Sequence, residues 1–190
     1  MPRGGVHHLG LATHDYDGTV EFYTNVLGWE IAWQDHHTSP DGEELLKHVF
    51  FDTGDGNLVA FMCSSPGSPY FPLEWETDIN TGLGMKVPGT YHFAFWADSE
   101  EDLLERQDRI RNLGTEVSAI MNHGWCKGFY FRDPVNGLML EYCFTTRAFT
   151  DDDRQLKGRA QPGFEGIRNQ DDVEATARVL GVPPDAIPTA

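Results

Sequence analysis

Two imidazoles and one carboxylate stand out in this chain for where they fall. His8 lies in a short apolar pattern, Val6-His7-His8-Leu9-Gly10-Leu11-Ala12, and His92 opens a similar one, Tyr91-His92-Phe93-Ala94-Phe95-Trp96. Glu141 interrupts a third, Leu138-Met139-Leu140-Glu141-Tyr142. A carboxylate inside an apolar strand is seldom buried without a cation or a strong donor. Two imidazoles and a carboxylate suit a divalent first-row metal. Three protein ligands would leave coordination positions open, as in the facial triad of non-haem Fe(II) oxygenases.

The elements that must position these residues read as a repeat. After the His8 strand, Asp15 or Asp17 can cap a helix whose apolar stripe is Val20, Tyr23 and Leu27, with Gly28 ending it. Strands follow at Trp29 to Trp33, Leu45 to Asp52 and Leu58 to Cys63, separated by turns at Thr38 to Gly42 and Gly54 to Asn57. From Thr90 the same order returns. It comprises a strand ending at Trp96, a helix with the capping pair Ser99 and Asp102 and the stripe Leu103, Ile110 and Leu113, and strands at Glu116 to Met121, Gly128 to Arg132 and Leu138 to Phe144. Asp133-Pro134-Val135-Asn136-Gly137 is hairpin chemistry, with Asn-Gly able to take the two positive-φ positions. The chain therefore carries two βαβββ modules, an internal repeat of about fifty residues. Aligning Cys63 with Cys143 sets Phe51 against Phe131, Leu58 against Leu138 and Phe61 against Glu141. A phenyl ring at Phe61 offers no ligand, so the remaining metal positions fall to water, dioxygen or substrate oxygens, which points to a chelating substrate.

The expected fold is α+β: two tandem βαβββ modules forming a cupped, barrel-like mixed sheet, plus a C-terminal helical tail. Module one spans 5–63, a linker 64–89 and module two 90–145, together one domain, with an extension over 146–190. The linker is rich in Pro, Gly, Ser and Thr and reads as a long functional connection, whose Tyr70, Phe71 and Trp75 could line an aromatic pocket. In the tail, Asp171 to Leu180 reads as a helix that packs outside the domain or on a partner chain.

Composition narrows the partners. A net charge of −16 disfavours nucleic acid and anionic membranes. No apolar run approaches the ~18 residues of a spanning helix. The N-terminus lacks the apolar core of a signal peptide, and the three cysteines form no CxxC pair, so a reducing, cytoplasmic setting is expected.

The run Val6-His7-His8-Leu9-Gly10-Leu11 with Asp15, then Val20-Glu21-Phe22-Tyr23 and Val26-Leu27-Gly28, resembles the opening of a vicinal oxygen chelate module. His92-Phe93-Ala94-Phe95-Trp96, Phe131-Arg132-Asp133-Pro134 and Leu140-Glu141-Tyr142 resemble the start and end of a second. This superfamily includes glyoxalases, bleomycin-resistance proteins and type I extradiol dioxygenases, and the resemblance covers roughly residues 5 to 145. It implies two modules around one metal, with His8, His92 and Glu141 as ligands. His7 competes with His8, since neighbours on a strand face opposite ways, but the step from His8 to Asp15 fits the family pattern better.

The three-ligand pattern is most similar to extradiol dioxygenases. That resemblance implies Fe(II), with Mn(II) or another divalent metal as the alternative, acting on a small aromatic diol and O2. It also implies a second-shell His and Tyr, which fall here on His123 as acid/base and Tyr130 as a substrate-orienting hydroxyl. The family's further acid/base His has no counterpart in Leu58 to Phe61, and His48, one strand earlier, is the substitute on offer. His36 and His37 read as solvated or as a pocket rim, and Cys126 with His123 lacks the third group of a nucleophilic site. A non-redox isomerase, epimerase or glyoxalase-like lyase, and a metal-free binder of aromatic drugs, are the competing functions. Modules of this kind assemble within one chain or across a homodimer.

Overall fold

The computed structural model describes residues 5–65, 68, 91–157 and 163–187. The linker residues Tyr70, Phe71 and Trp75 lie outside them. The chain divides into two compact units, Met1–Thr77 and Asp78–Ala190.

In the first unit, β1 (His8–Ala12) leads into α1 (Tyr16–Glu21), and β2 (Glu30–Thr38), β3 (Glu44–Asp52) and β4 (Leu58–Ser64) complete a four-stranded sheet in the order β1-β4-β3-β2. β1 runs parallel to β4 and the other pairs are antiparallel. Asp15 caps α1 by accepting from Gly18 N at 2.9 Å. The helix then widens into a π turn over Phe22–Val26, with Leu27 N donating to Phe22 O. The wider turn brings both Phe22 and Tyr23 inward, where the 3.6-residue stripe presents only Tyr23. Tyr23 packs against Trp29, Phe51 and Phe61 at ring separations of 5.1, 5.3 and 4.9 Å.

The second unit repeats the plan and adds to it. Its sheet comprises β5 (Phe93–Trp96), β6 (Ile120–Asn122), β7 (Cys126–Arg132), β8 (Met139–Thr145) and β9 (Gly163–Glu165), in the order β5-β8-β7-β6-β9. β5 is parallel to β8. Each sheet is mixed and open, and the fold class is α+β. Helix α2 (Glu100–Asn112) is capped by Ser99, whose hydroxyl accepts from Asp102 N, while Asp102 reaches back to Asp98 N. Its buried Leu103 and Ile110 belong to the core that holds Phe129, Phe131, Leu140 and Tyr142.

Three expectations shift. The strand read at Glu116 to Met121 shortens to Ile120–Asn122, with a lone bridge from Val117 to Phe131. Ser118 is the cause: its buried hydroxyl accepts from Tyr130 N and donates to Ala119 O, standing in for a backbone partner. In the hairpin only Gly137 has positive φ, because the buried Asp133 carboxylate accepts from Val135 N, Asn136 N and the Asn136 amide and holds the turn itself. The tail contributes β9 to the sheet edge and α3 (Gln170–Leu180), capped by Asn169 and closed by Gly181 at φ 71°.

Phe131 is fully buried and stacks on Tyr142 at 5.8 Å. Phe131→Ala should therefore lower the unfolding free energy by about 3–5 kcal/mol in a urea titration. Asn169→Ala, which removes one cap, should cost about 1 kcal/mol.

Candidate metal centre

Side chains alternate along each strand, so the pairings fix which residues share a face. In the second sheet Glu141 lies opposite Ala94 on β5 and Tyr130 on β7. Phe129, Phe131, Leu140 and Tyr142 point the other way, into the core. Glu141 is nonetheless only 5% exposed. His92, just before β5, brings Nε2 to 3.0 Å from Glu141 Oε2. The Tyr130 ring meets the His92 ring edge to face at 5.4 Å. The Tyr130 hydroxyl lies 3.3 Å from His123 Nε2. Four residues singled out by the sequence, His92, Glu141, Tyr130 and His123, thus meet on one face of one sheet.

Gly128 makes room for the carboxylate. A Cβ there would collide with Glu141 Oε1 and sit 2.9 Å from the Tyr142 carbonyl. Nothing in the local pattern marks this glycine, since its role appears only once β7 is paired with β8.

The charge on Glu141 reaches its neighbours. Burial, then the Glu141 carboxylate, raises the Tyr130 phenol well above its usual range. The same two causes push Cys126 to about 11, and burial, Glu141 and Cys126 push Cys143 to about 12. All three groups stay protonated at neutral pH, so Tyr130 remains a hydroxyl donor.

His8 belongs to the first unit. It pairs with Leu58 and meets the Phe50 ring at 5.7 Å. It shares its face with Gly10, Ala60 and Phe50, and Leu9, Leu11 and Phe61 take the other. His7 precedes the strand, and its Nδ1 lies 2.9 Å from His8 Nδ1. The pairings also correct the repeat alignment. Phe50 lies opposite Ala60 and Tyr130 opposite Glu141, and Gly10 opposite Ala60 as Ala94 opposite Glu141. The counterpart of Glu141 is therefore Ala60, and His8 then matches His92. Phe61 is one residue out of step and fully buried. Ala60 offers no ligand either, so the inference of open positions is unchanged.

His48 shares the His8 face, ring to ring with Phe50 at 4.4 Å. Burial lowers its pKa, the nearby His37 and His8 add to the effect, and Asp35 opposes it. His36 and His37 are exposed on β2.

The tail, expected to pack on the outside of the domain or on a partner chain, packs on the sheet face that carries Glu141. Val179 forms a cluster with Tyr130 and Met139, Arg132 Nε donates to Val179 O at 3.0 Å, and Thr176 Oγ1 accepts from Ala119 N at 2.9 Å.

Residues 5–142 match the family described as the Glyoxalase/Bleomycin resistance protein/Dioxygenase superfamily. Among curated proteins, MhqA of Bacillus subtilis (strain 168), whose name assigns it provisionally to the ring-cleaving dioxygenases, is 23% identical over 65% of this chain. Biphenyl-2,3-diol 1,2-dioxygenase 2 of Rhodococcus globerulus is 25% identical over 67%. The chain spans 38% and 56% of the lengths of these two relatives. A glyoxylase/bleomycin resistance protein/dioxygenase domain from Frankia sp. EAN1pec superposes with a TM-score of 0.55 at 21% identity, covering 75% of this chain and 98% of that one. The fosfomycin resistance protein FosX of Listeria monocytogenes superposes at 0.50 and 21% identity, covering 80% and 99%. These two likenesses concern the fold.

Gly128→Ala should force Glu141 off His92 and destabilise the protein by about 1–3 kcal/mol in a denaturant titration. Alkaline pH should also weaken the fold. Unfolded thiols lose their protons from about pH 8.5, whereas Cys126 and Cys143 hold theirs to about 11 and about 12. The unfolded state then binds fewer protons, so this stability is complete below the ordinary thiol range and is lost progressively as pH rises from there through about 11 and about 12. The urea midpoint should fall as pH rises from about 8.5 toward the folded values of about 11 and about 12, and Cys143→Ala should flatten the fall.

Proposed function

This chain belongs to the glyoxalase/bleomycin resistance protein/dioxygenase superfamily, and from that premise we propose that it is a metal-dependent extradiol-type dioxygenase, opening the ring of a catechol or related aromatic diol with O2. The observation that carries the reading is the buried Glu141 carboxylate set 3.0 Å from the His92 imidazole, with the Tyr130–His123 pair beside it. Two curated relatives named as dioxygenases support it.

His92 and Glu141 would hold the ion, with His8 of the first module as third ligand. The donor set fits Fe(II): imidazole nitrogen and carboxylate oxygen, with positions to spare. Fe(II) held there supplies Lewis acidity toward the diol oxygens and redox activity toward dioxygen. The protein's own groups do the rest. Glu141 brings the negative charge that offsets a cation, and Gly128 keeps its carboxylate in place. Tyr130, held as a neutral phenol, donates a hydrogen bond to a substrate oxygen and orients the ring. His123 Nε2, within reach of the Tyr130 hydroxyl, takes a proton from the diol and returns it, since an imidazole changes charge near neutral pH. Val179 and Met139 back the Tyr130 ring and limit its motion.

Anaerobic loading with Fe(II), followed by air and a panel of catechols, should give O2 uptake and a yellow ring-opened product. His92→Ala and Glu141→Gln should lose bound iron and turnover together. Tyr130→Phe should keep its iron and lose about 10–100-fold in kcat. Turnover without O2 on Zn, Ni or Co would instead assign a non-redox member of the superfamily. Tight binding of an aromatic drug by metal-free protein would assign a sequestering one.

A further inference from the structure

In the first unit, one group among the described residues gathers metal-ligating atoms. Asp35, His37 and His48 each offer one donor, and the three donors lie within 4.8 Å of one another. The sheet fixes this arrangement. Asp35 and His48 are directly paired across β2 and β3, and His37, two residues beyond Asp35, shares their face. Asp35 Oδ2 lies 3.8 Å from His37 Nε2, and Asp35 Oδ1 lies 3.7 Å from His48 Nδ1. These separations are too long for hydrogen bonds. They suit donors waiting on either side of an ion: ligands about 2.0–2.1 Å from a tetrahedral metal sit about 3.4 Å apart, which small side-chain rotations would reach.

Two further observations point the same way. Asp35 Oδ1 is buried and has no hydrogen-bond partner among the described residues. A carboxylate oxygen in that state calls for a cation or a donor. The other oxygen, Oδ2, accepts from Trp33 Nε1 at 3.2 Å, which fixes the carboxylate's orientation as outer-shell donors do in metal sites.

We propose that Asp35, His37 and His48 form a cation site for a zinc-class divalent ion (Zn, Co or Ni), with ligands other than His92 and Glu141. Two imidazoles and one carboxylate select such ions over Mg or Ca, which prefer all-oxygen shells. A fourth position, toward solvent on the exposed His37 side, takes water. The ion would tie β2, the edge strand of its sheet, to β3, and so brace the long hairpin. It would also lie on the sheet face that carries His8, since His8 and His48 both touch the Phe50 ring.

The test is a Co(II) titration of the full chain, followed by visible absorption and calorimetry, with Zn(II) melting curves alongside. His37 is exposed, so His37→Ala leaves the fold in place, which circular dichroism checks. The expected result is that His37→Ala and Asp35→Asn each remove the same equivalent of Co(II), or weaken it by more than about 100-fold. The rise in melting temperature with Zn(II) should vanish in both variants. His92→Ala should leave that equivalent intact. Co(II) stoichiometry and affinity unchanged in His37→Ala would overturn the site, whatever His92→Ala does. Loss of the equivalent in His37→Ala alongside full retention in His92→Ala would uphold it, even if no catechol is ever turned over.

Discussion

A carboxylate, 5% exposed in the middle of a sheet, constrains everything around it. Desolvating Glu141 is costly, and the second unit answers with an imidazole at 3.0 Å and a glycine where any side chain would displace it. The neighbouring acids Tyr130, Cys126 and Cys143 are all held protonated, in part by Glu141 itself. These three acids therefore add no negative charge of their own beside Glu141. That is an electrostatic setting for a cation with anionic ligands of its own, such as a deprotonated diol. A cluster of carboxylates would repel such a ligand.

Much of this was legible in the sequence. The two βαβββ modules show in the spacing of Tyr23 and Leu27, of Leu103 and Ile110, and in Gly28, because apolar periodicity and helix-ending glycines are local signals. His92, Glu141, Tyr130 and His123 were all named from the chain and meet on one face. What escaped depends on register. Setting Phe61 against Glu141 was wrong by one residue, and in a strand one residue exchanges the two faces. Matching Cys63 to Cys143 could not reveal this, because the strands β4 and β8 drift by one residue relative to each other between the modules. Only Phe50 opposite Ala60 and Tyr130 opposite Glu141 settle it.

The tail was the larger omission, and its reason is physical. The helix Gln170–Leu180 is legible from Val173, Ala177 and Leu180, but nothing local says what it packs on. Its anchors are single long-range contacts: Thr176 to Ala119 N, Arg132 to Val179 O, and Val179 against Tyr130. Ser118 is part of the same account. By breaking the strand before β6, it leaves Ala119 N to be met from the tail. The family match ends at residue 142, so the segment bracing the Tyr130 phenol lies beyond it. In this chain the position of that hydroxyl is set partly by a part of the molecule outside the matched region.

The two donor groups differ in a way that bears on which ion each would take. Glu141 and His92 are recessed: the carboxylate side chain is 6% exposed and its imidazole partner 28%. Asp35, His37 and His48 stand on a hairpin arm, with His37 more than half exposed. A site with two imidazoles and one carboxylate binds divalent ions in the order that favours Zn and Cu over Fe(II). A recessed carboxylate–imidazole site departs from that order, since its geometry and the bound substrate decide which ion stays. A protein with both faces an ordering problem, since zinc-class ions outcompete Fe(II) wherever both are free to bind. On the two proposals, the more exposed cluster would take a zinc-class ion, and the recessed site would keep Fe(II) only where its geometry and its substrate outweigh that order.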